Sequence, residues 1–266
     1  MKHTATTRRW QGLRLSLIGL SLFLLPLFVS LTQHALSDTV DRPWWSAERG
    51  SIGLSPDPRA APQALVQVFS ARAVGWRGAV GVHTWVAVKR QGAASYTRYE
   101  VMGWGVRRGR SAVRIGPGVP DGHWFGAAPV LLAELRDEPA QRAIEIIDRA
   151  ARNYPYADRY RVWPGPNSNT FTAHLARQVP DLKLDLPPTA VGKDYLPWRS
   201  PLAWAPSGTG LQISFGGLLG LLVAGQEGVE VQLLGLTLGI DLDGPALKLP
   251  GFGRLGPQAA AVADSE

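Results

Sequence analysis

The chain has 266 residues and no cysteine. That absence excludes a disulfide scaffold, a zinc knuckle, an iron–sulfur site and a cysteine nucleophile. Charge is scarce too. Charged side chains make up 18% of the chain, against roughly 25% in an average soluble domain, which argues against a disordered polyelectrolyte. The net charge of +7 looks like a nucleic-acid signal until it is located. Lys2, Arg8, Arg9 and Arg14 lie in residues 1–37 with no acid beside them, so most of the excess is local. Elsewhere no dense basic run is interleaved with aromatics, and nucleic acid is set aside as a partner. No His, Asp or Glu grouping has zinc-ligand spacing, so neither a metal nor another cofactor is expected. The 30 glycines and 21 prolines follow no collagen-like repeat.

What is present begins with a membrane signal. Behind the four basic residues runs an apolar stretch from Leu15 to Leu31, interrupted only by Ser16, Gly19, Ser21, Pro26 and Ser30. Either it is a signal peptide cut after a small residue such as Ala35 or Ser37, or it is an uncleaved anchor with Trp44 and Trp45 at the outer interface. Its length favours the anchor. Arg8-Arg9 resembles a twin-arginine signal, but Gln11 and Gly12 stand where that signal prefers apolar residues. Positive charge stays on the cytoplasmic side, so residues 38–266 are expected on the other.

The remainder reads as an α+β protein. Residues 38–63, with Pro43, Pro56, Pro58 and Pro62, form a linker. A domain over 64–208 opens with strands at Ala64–Ser70, Ala79–Arg90 and Tyr96–Val106, rich in Val, Trp and Tyr. Residues 109–127 read as a Gly/Pro loop and Pro129–Arg136 as a short helix. A longer helix follows from Pro139 to Asn153, with Ala140, Ile144, Ile147 and Ala151 on one face. A third spans Ser168 to Val179 and buries Phe171, Leu175 and Val179. Residues 209–256 alternate as a small antiparallel meander. There Leu211, Ile213 and Phe215 share a face, as do Val229, Val231 and Leu233; parity then switches to Leu236, Leu238, Ile240 and Leu242, with a bulge expected at Gly235. Packing on the main domain is favoured over a lipid-facing sheet. Residues 257–266 read as a disordered tail.

Chemistry concentrates at two places. Pro164-Gly165-Pro166-Asn167-Ser168-Asn169-Thr170-Phe171 delivers Ser168 to a helix start. Free backbone N–H groups there favour negative charge and can hold an oxyanion. The competing reading makes Asn167 or Ser168 a plain helix cap. At the second place, His83 opens a strand whose Trp85 and Ala87 share its face, a position suited to a general base. A His bonded to a neighbouring carbonyl is the plainer alternative. Glu100 reaches the His83 face if the next strand pairs it with Trp85, and a one-residue slip turns it away. His123 and His174 rank lower as candidates.

These segments carry a resemblance. His83-Thr84-Trp85, Tyr99-Glu100-Val101, Asp121-Gly122-His123-Trp124-Phe125-Gly126, Tyr154-Pro155-Tyr156-Ala157, Trp163 to Phe171 and Gly192-Lys193-Asp194-Tyr195 resemble the bacterial family called domain of unknown function 3750. That family carries no established activity. The order strand-His, strand, helices, then Asn-x-Asn-x-Phe is more distantly similar to circularly permuted papain-like domains: the NlpC-type hydrolases, the lecithin:retinol acyltransferase-like proteins and the PPPDE peptidases. The resemblance implies a permuted papain-like domain, an antiparallel sheet packed on helices, with His83 at the family's His and Ser168 at its Cys. Serine for cysteine is a departure. A hydroxyl needs a real base where a thiol is activated more readily.

Two functions follow as expectations. One is a membrane-tethered acyl or amide hydrolase or transferase acting on a cell-envelope peptide or lipid. In it Ser168 is the nucleophile, His83 the base and Glu100 the orienter. Asn167 and Asn169 flank the oxyanion site, with Trp85, Trp124 and Trp163 around the cleft. The other is a catalytically silent cleft that binds an envelope peptide, glycan or lipid, with Trp104, Trp124, Phe125 and Trp163 as lining. A structural envelope protein whose meander docks on a partner is a blander third. The expected location is the bacterial inner membrane, single-pass, with the folded part in the periplasm, or the periplasm itself after cleavage.

Overall fold

The structure, a computed structural model, describes residues 2–36, 45–242 and 244–257. Ser37 and Trp44, and the expected tail beyond Pro257, lie outside the described residues. The fold is α+β: two antiparallel sheets and three α-helices, the first of them apolar. Within that helix, α1 (Lys2–Ala35), the segment Leu17–Ala35 is long and apolar enough to cross a membrane. Its far end is held by the rest of the protein. The buried Ser30 hydroxyl donates to Ala79 O and, at 3.0 Å, to Gly251 O. The His34 ring meets Gly75 O at 3.1 Å.

The first sheet contains β1 (Leu65–Arg72), β2 (Val82–Lys89), β3 (Thr97–Val101), β4 (Val113–Pro117) and β5 (Val130–Arg136), in the order β4-β3-β2-β1-β5. Strand periodicity gives it two faces. Val66, Val68, Val86, Val88, Tyr99 and Val101 pack on α2 (Asp137–Arg152) and α3 (Ser168–Gln178) through Ile144, Ile147, Phe171 and Leu175. The opposite parity, with Leu65, Phe69, Trp85 and Ala87, packs beneath Trp124 and Leu131. Burial on both sides explains the near-continuous apolar runs of β1 and β2.

Three expectations about this lobe need correction. Residues 130–136 form a strand, not a helix. Val-Leu-Leu-Ala-Glu-Leu-Arg has good helix formers, but pairing with β1, Leu65↔Arg136 through Ser70↔Val130, overrides local propensity. The Gly/Pro stretch after 109 also contains a strand, β4, paired with β3. The segment read as a linker is stitched to the domain over its described part. The buried Asp121 carboxylate accepts from Ser51 Oγ at 2.7 Å, Leu54 N at 2.6 Å and Ser55 N at 3.1 Å.

The second sheet is a sequential meander: β6 (Leu202–Trp204), β7 (Gly210–Phe215), β8 (Leu219–Ala224), β9 (Gly228–Leu233), β10 (Leu236–Asp241), β11 (Ala246–Leu249) and β12 (Gly253–Leu255). It takes in β6, ahead of the expected start at 209. Gly235 makes a turn rather than a bulge. Leu233 pairs with Leu236, and Leu234 (φ 52°) and Gly235 (φ 74°) form a two-residue connection of the kind that needs positive φ at both positions.

The faces of this sheet are the larger surprise. Its apolar parity points outward instead of onto the main domain. One register row crosses all seven strands as Trp204, Leu211, Val223, Val229, Ile240, Leu247 and Leu255, every one exposed. The inward parity carries Gln212, Ser214, Glu230, Gln232, Thr237 and Lys248, all buried. Polar chemistry therefore joins the lobes. Lys193 Nζ lies 2.7 Å from Glu230 Oε2, and Lys248 Nζ lies 2.9 Å from Glu230 Oε1 and 2.8 Å from Asp185 Oδ1. Arg177, on α3, donates to Gln212 Oε1 at 2.8 Å, and Gln212 donates to Asp194 O at 2.8 Å.

Candidate functional site

The expected site residues divide between the two faces of the first sheet. On the helix face, Asn167 caps α3. Its side-chain oxygen accepts from Asn169 N at 3.0 Å and Thr170 N at 3.2 Å, and Thr170 Oγ1 accepts from Asn167 N at 3.1 Å, closing a capping box. Asn169 Nδ2 donates to Val82 O at 3.0 Å and Val191 O at 2.8 Å. The buried Thr84 hydroxyl, on β2, lies 2.9 Å from Thr172 Oγ1, 3.0 Å from Asn169 Oδ1 and 3.3 Å from Ser168 O. The Asn-x-Asn pattern thus ties α3 to β2 and to the Val191 loop. Of the two backbone N–H groups that could hold an oxyanion at this helix start, those of Ser168 and Asn169, the Asn169 N–H is taken by the cap.

On the other face, His83 Nε2 lies 3.2 Å from Glu100 Oε2. The register that aligns Val86 with Tyr99 continues to put Trp85 opposite Glu100, which brings the carboxylate to the His83 side. Arg98, two residues before Glu100 and so on the same face, donates to Glu100 Oε2 at 3.2 Å and to Val119 O at 3.1 Å. The Trp124 ring covers the imidazole, with centroids 3.7 Å apart and planes 5° from parallel. Burial holds the His83 pKa below the ordinary imidazole value. Burial alone would raise the Glu100 carboxyl, but the hydrogen bond from His83 and the Arg98 charge outweigh it and lower its pKa. The pair is therefore a neutral imidazole donating Nε2–H to a carboxylate.

Thr84 and His83 are neighbours on one strand, so their side chains point to opposite faces. Thr84 meets α3; His83 meets Trp124. The structure joins His83 to Glu100, in the register that turns the carboxylate toward the imidazole, whereas Ser168 meets the sheet from the Thr84 side. His83 and Ser168 are also sealed, at 5% and 3% exposure. Trp85 is fully buried under the loop, its Nε1 donating to Pro120 O at 2.7 Å. Trp163 lies away from the imidazole, with Nε1 donating to Leu234 O at 2.7 Å in the second lobe.

What opens to solvent on the His83 side is a cleft of about 450 Å³. Arg49, Arg98, Glu100, Trp104, Arg114, His123, Trp124 and Phe125 line it, together with residues 115–119 at the end of β4 and just beyond it. Trp104, Phe125 and Trp124 form an edge-to-face series at 5.5 and 5.0 Å. The Arg49 guanidinium lies 4.5 Å over Phe125, and the Arg98 guanidinium 4.5 Å over Trp85. Phe125 is held at φ 50°, an uncommon conformation for an aromatic residue. Glu100 is the sole carboxylate among these lining side chains. The Arg114 guanidinium donates to the Ser111, Val113 and Trp104 carbonyls and to no carboxylate among the described residues. His123 Nδ1 donates to Gly50 O at 3.1 Å. The arginines went unnoticed in the sequence because they are spread over three segments. Arg98 alone left a trace, the two-residue step to Glu100. His123, ranked low there, lines the cleft. Among the described residues no three His, Asp or Glu side chains group to hold a metal.

A family match covers the first sheet and its two helices. The family described as Protein of unknown function (DUF3750) matches residues 63–195, half of the chain. The chain belongs to that family. The DUF3750 match takes in the first sheet, α2, α3 and Lys193, and stops before β6. No curated protein and no solved structure matches the chain.

Proposed function

We propose that this DUF3750 protein is a membrane-tethered binder of a carboxylate-bearing cell-envelope glycan, which it holds in the cleft on the His83 side of the first sheet. The observation that carries this reading is the Arg114 guanidinium, which lines the cleft and donates to backbone carbonyls but to no carboxylate among the described residues, while Glu100, the one carboxylate among the lining side chains, is already engaged by His83 and Arg98. A ligand carboxylate completes Arg114 with charge-assisted bonds, for which the guanidinium fork is well shaped. The exposed Trp104 indole and the Phe125 ring offer apolar faces to a sugar ring. The sealed His83–Glu100 pair is then a floor that orders Trp124 and Arg98. In this reading α1 stays uncleaved as a single-pass anchor, and its basic start places the folded part in the periplasm.

The hydrolase or transferase reading needs Ser168 and His83 on one face of the sheet, and the Thr84 contacts with α3 weigh against it.

The test is a tryptophan-fluorescence titration of the full chain in detergent with muropeptide fragments and with their carboxyl-amidated forms. Native fragments bind. Arg114→Gln and carboxyl amidation each weaken binding about tenfold or more, the scale of a charged hydrogen bond of about 1.5–3 kcal/mol. Ser168→Ala binds like the wild type, and no serine-reactive fluorophosphonate label appears on either. Equal binding by Arg114→Gln, or labelling that Ser168→Ala abolishes, overturns the proposal.

A further inference from the structure

The outward face of the second sheet has no partner among the described residues, and its composition is uniform. On every strand, the positions of that parity hold apolar residues, with Gly253 the exception. At the usual strand spacing of roughly 4.8 Å the face is about 29 Å across. Apolar patches of such extent are rare on soluble monomers and mark contact with a membrane or another protein. Apolar outward and polar inward is also the order of a lipid-facing β-sheet wall, the reverse of a soluble sheet on its core.

Where α1 meets this sheet decides between those partners. Ser30 donates to Gly251 O, in the turn between β11 and β12. A Cβ on Gly251, which sits at φ 68°, would come 2.8 Å from Leu27 Cδ2, so the backbone of that turn is pressed against the helix. Ser30 lies inside the membrane-length segment Leu17–Ala35. The five helical steps from Ser30 to Ala35 correspond to about 7.5 Å of helix, which falls within the roughly 5–10 Å depth that interfacial elements reach. Trp76, in the turn that α1 packs against, and Trp198, beside Phe215, are exposed, as befits side chains at a membrane–water boundary.

We infer that the second sheet lies on the bilayer that α1 crosses, with its apolar face in contact with lipid, making the protein doubly attached: by a spanning helix and by a monotopic sheet. The inference rests on the anchor reading of α1 and is independent of the ligand proposed for the cleft.

The natural absence of cysteine makes single-site labelling clean. Full-length Val223→Cys, Ile240→Cys and Leu247→Cys, each carrying a polarity-sensitive fluorophore, are reconstituted into phosphatidylethanolamine–phosphatidylglycerol vesicles with or without a doxyl-labelled lipid. Leu25→Cys reports α1, and Glu138→Cys, on the exposed side of α2, serves as the aqueous control. The three sheet labels are expected to shift to the blue and to lose most of their emission to the doxyl lipid, while the Glu138 label stays sensitive to aqueous iodide. Sheet labels quenched by iodide instead overturn the inference. So do sheet labels that shift to the blue without doxyl quenching, which would show the face covered by a second copy of the chain. The Leu25 label separates the causes. Lipid contact there without lipid contact on the sheet ends the sheet inference and leaves the anchor standing. Lipid contact at neither ends both.

Discussion

The two sheets use the same alternation of apolar and polar residues and orient it in opposite ways. In the first, Val66, Val86 and Tyr99 face the helices, and Trp85 and Phe69 face the loop, so apolar surface is buried on both sides. In the second, Glu230, Gln232 and Lys248 are buried while Val223, Val229 and Ile240 are exposed. Period two shows that a strand has two different faces. It does not show which of them the chain will cover. In the first sheet the covering layer comes from α2 and α3, which are apolar on the facing stripe. In the second the layer is the segment of Asp185, Lys193 and Asp194, which is charged and so selects the polar parity. The sharpest contrast is between matched truncations. Trp85→Ala should cost about 3–5 kcal/mol, as large-to-small changes in closed cores do. Val223→Ala on the outward face should stay within about 0.5 kcal/mol in detergent. Denaturant midpoints of the full chain check both. A comparable loss at the two sites would mean that the outward face is itself packed.

A second substitution probes the charged seam. Glu230 is completely buried and serves two ammonium groups at once, Lys193 and Lys248. The two lysines, with desolvation opposing them, hold its carboxyl below the usual range. Removing one member of a buried ion cluster strands the others. Glu230→Gln should therefore destabilise by about 3 kcal/mol, near the lower end for such changes because the amide oxygen still accepts a bond. If the two lobes unfold separately in the variant and together in the wild type, the seam is what couples them. A loss below about 1 kcal/mol would show that water reaches the cluster.

Much of the first lobe could be read from the chain, and the reasons are local. Asn167-Ser168-Asn169-Thr170 announces a helix start because cap chemistry lies within four residues. The His83–Glu100 pair follows from strand parity plus one register, and only the register had to be guessed. Its separation from Ser168 followed from the same parity, since Val86 and Val88 share the Thr84 side and are what α3 packs on. That inference required knowing which face receives the helix, a tertiary fact. The segment 130–136 fails for a related reason: its residues suit a helix, and only the free edge of β1 makes it a strand. The cleft arginines, Arg49, Arg98 and Arg114, stand in three separate segments, and only the folded chain brings them to one cleft.

The last contrast concerns Asp194, beside Lys193 in the same covering segment. Its carboxylate is buried, and neither oxygen has a hydrogen-bond donor from another of the described residues. Burial raises its pKa to about 6. A group whose folded pKa lies above its unfolded value favours the folded state fully below the unfolded value of 3.8, and that contribution is lost as pH rises through about 6. At neutral pH the charge is carried at a cost. Asp194→Asn removes the titration, so its stability relative to wild type should improve by about 2–3 kcal/mol between about pH 4 and about pH 8. The sign of this change does not depend on how well the amide itself is accommodated, because that cost is the same at both pH values. Denaturation of both proteins at the two pH values gives the difference directly. A constant difference across the range would place Asp194 in contact with water or with a cation.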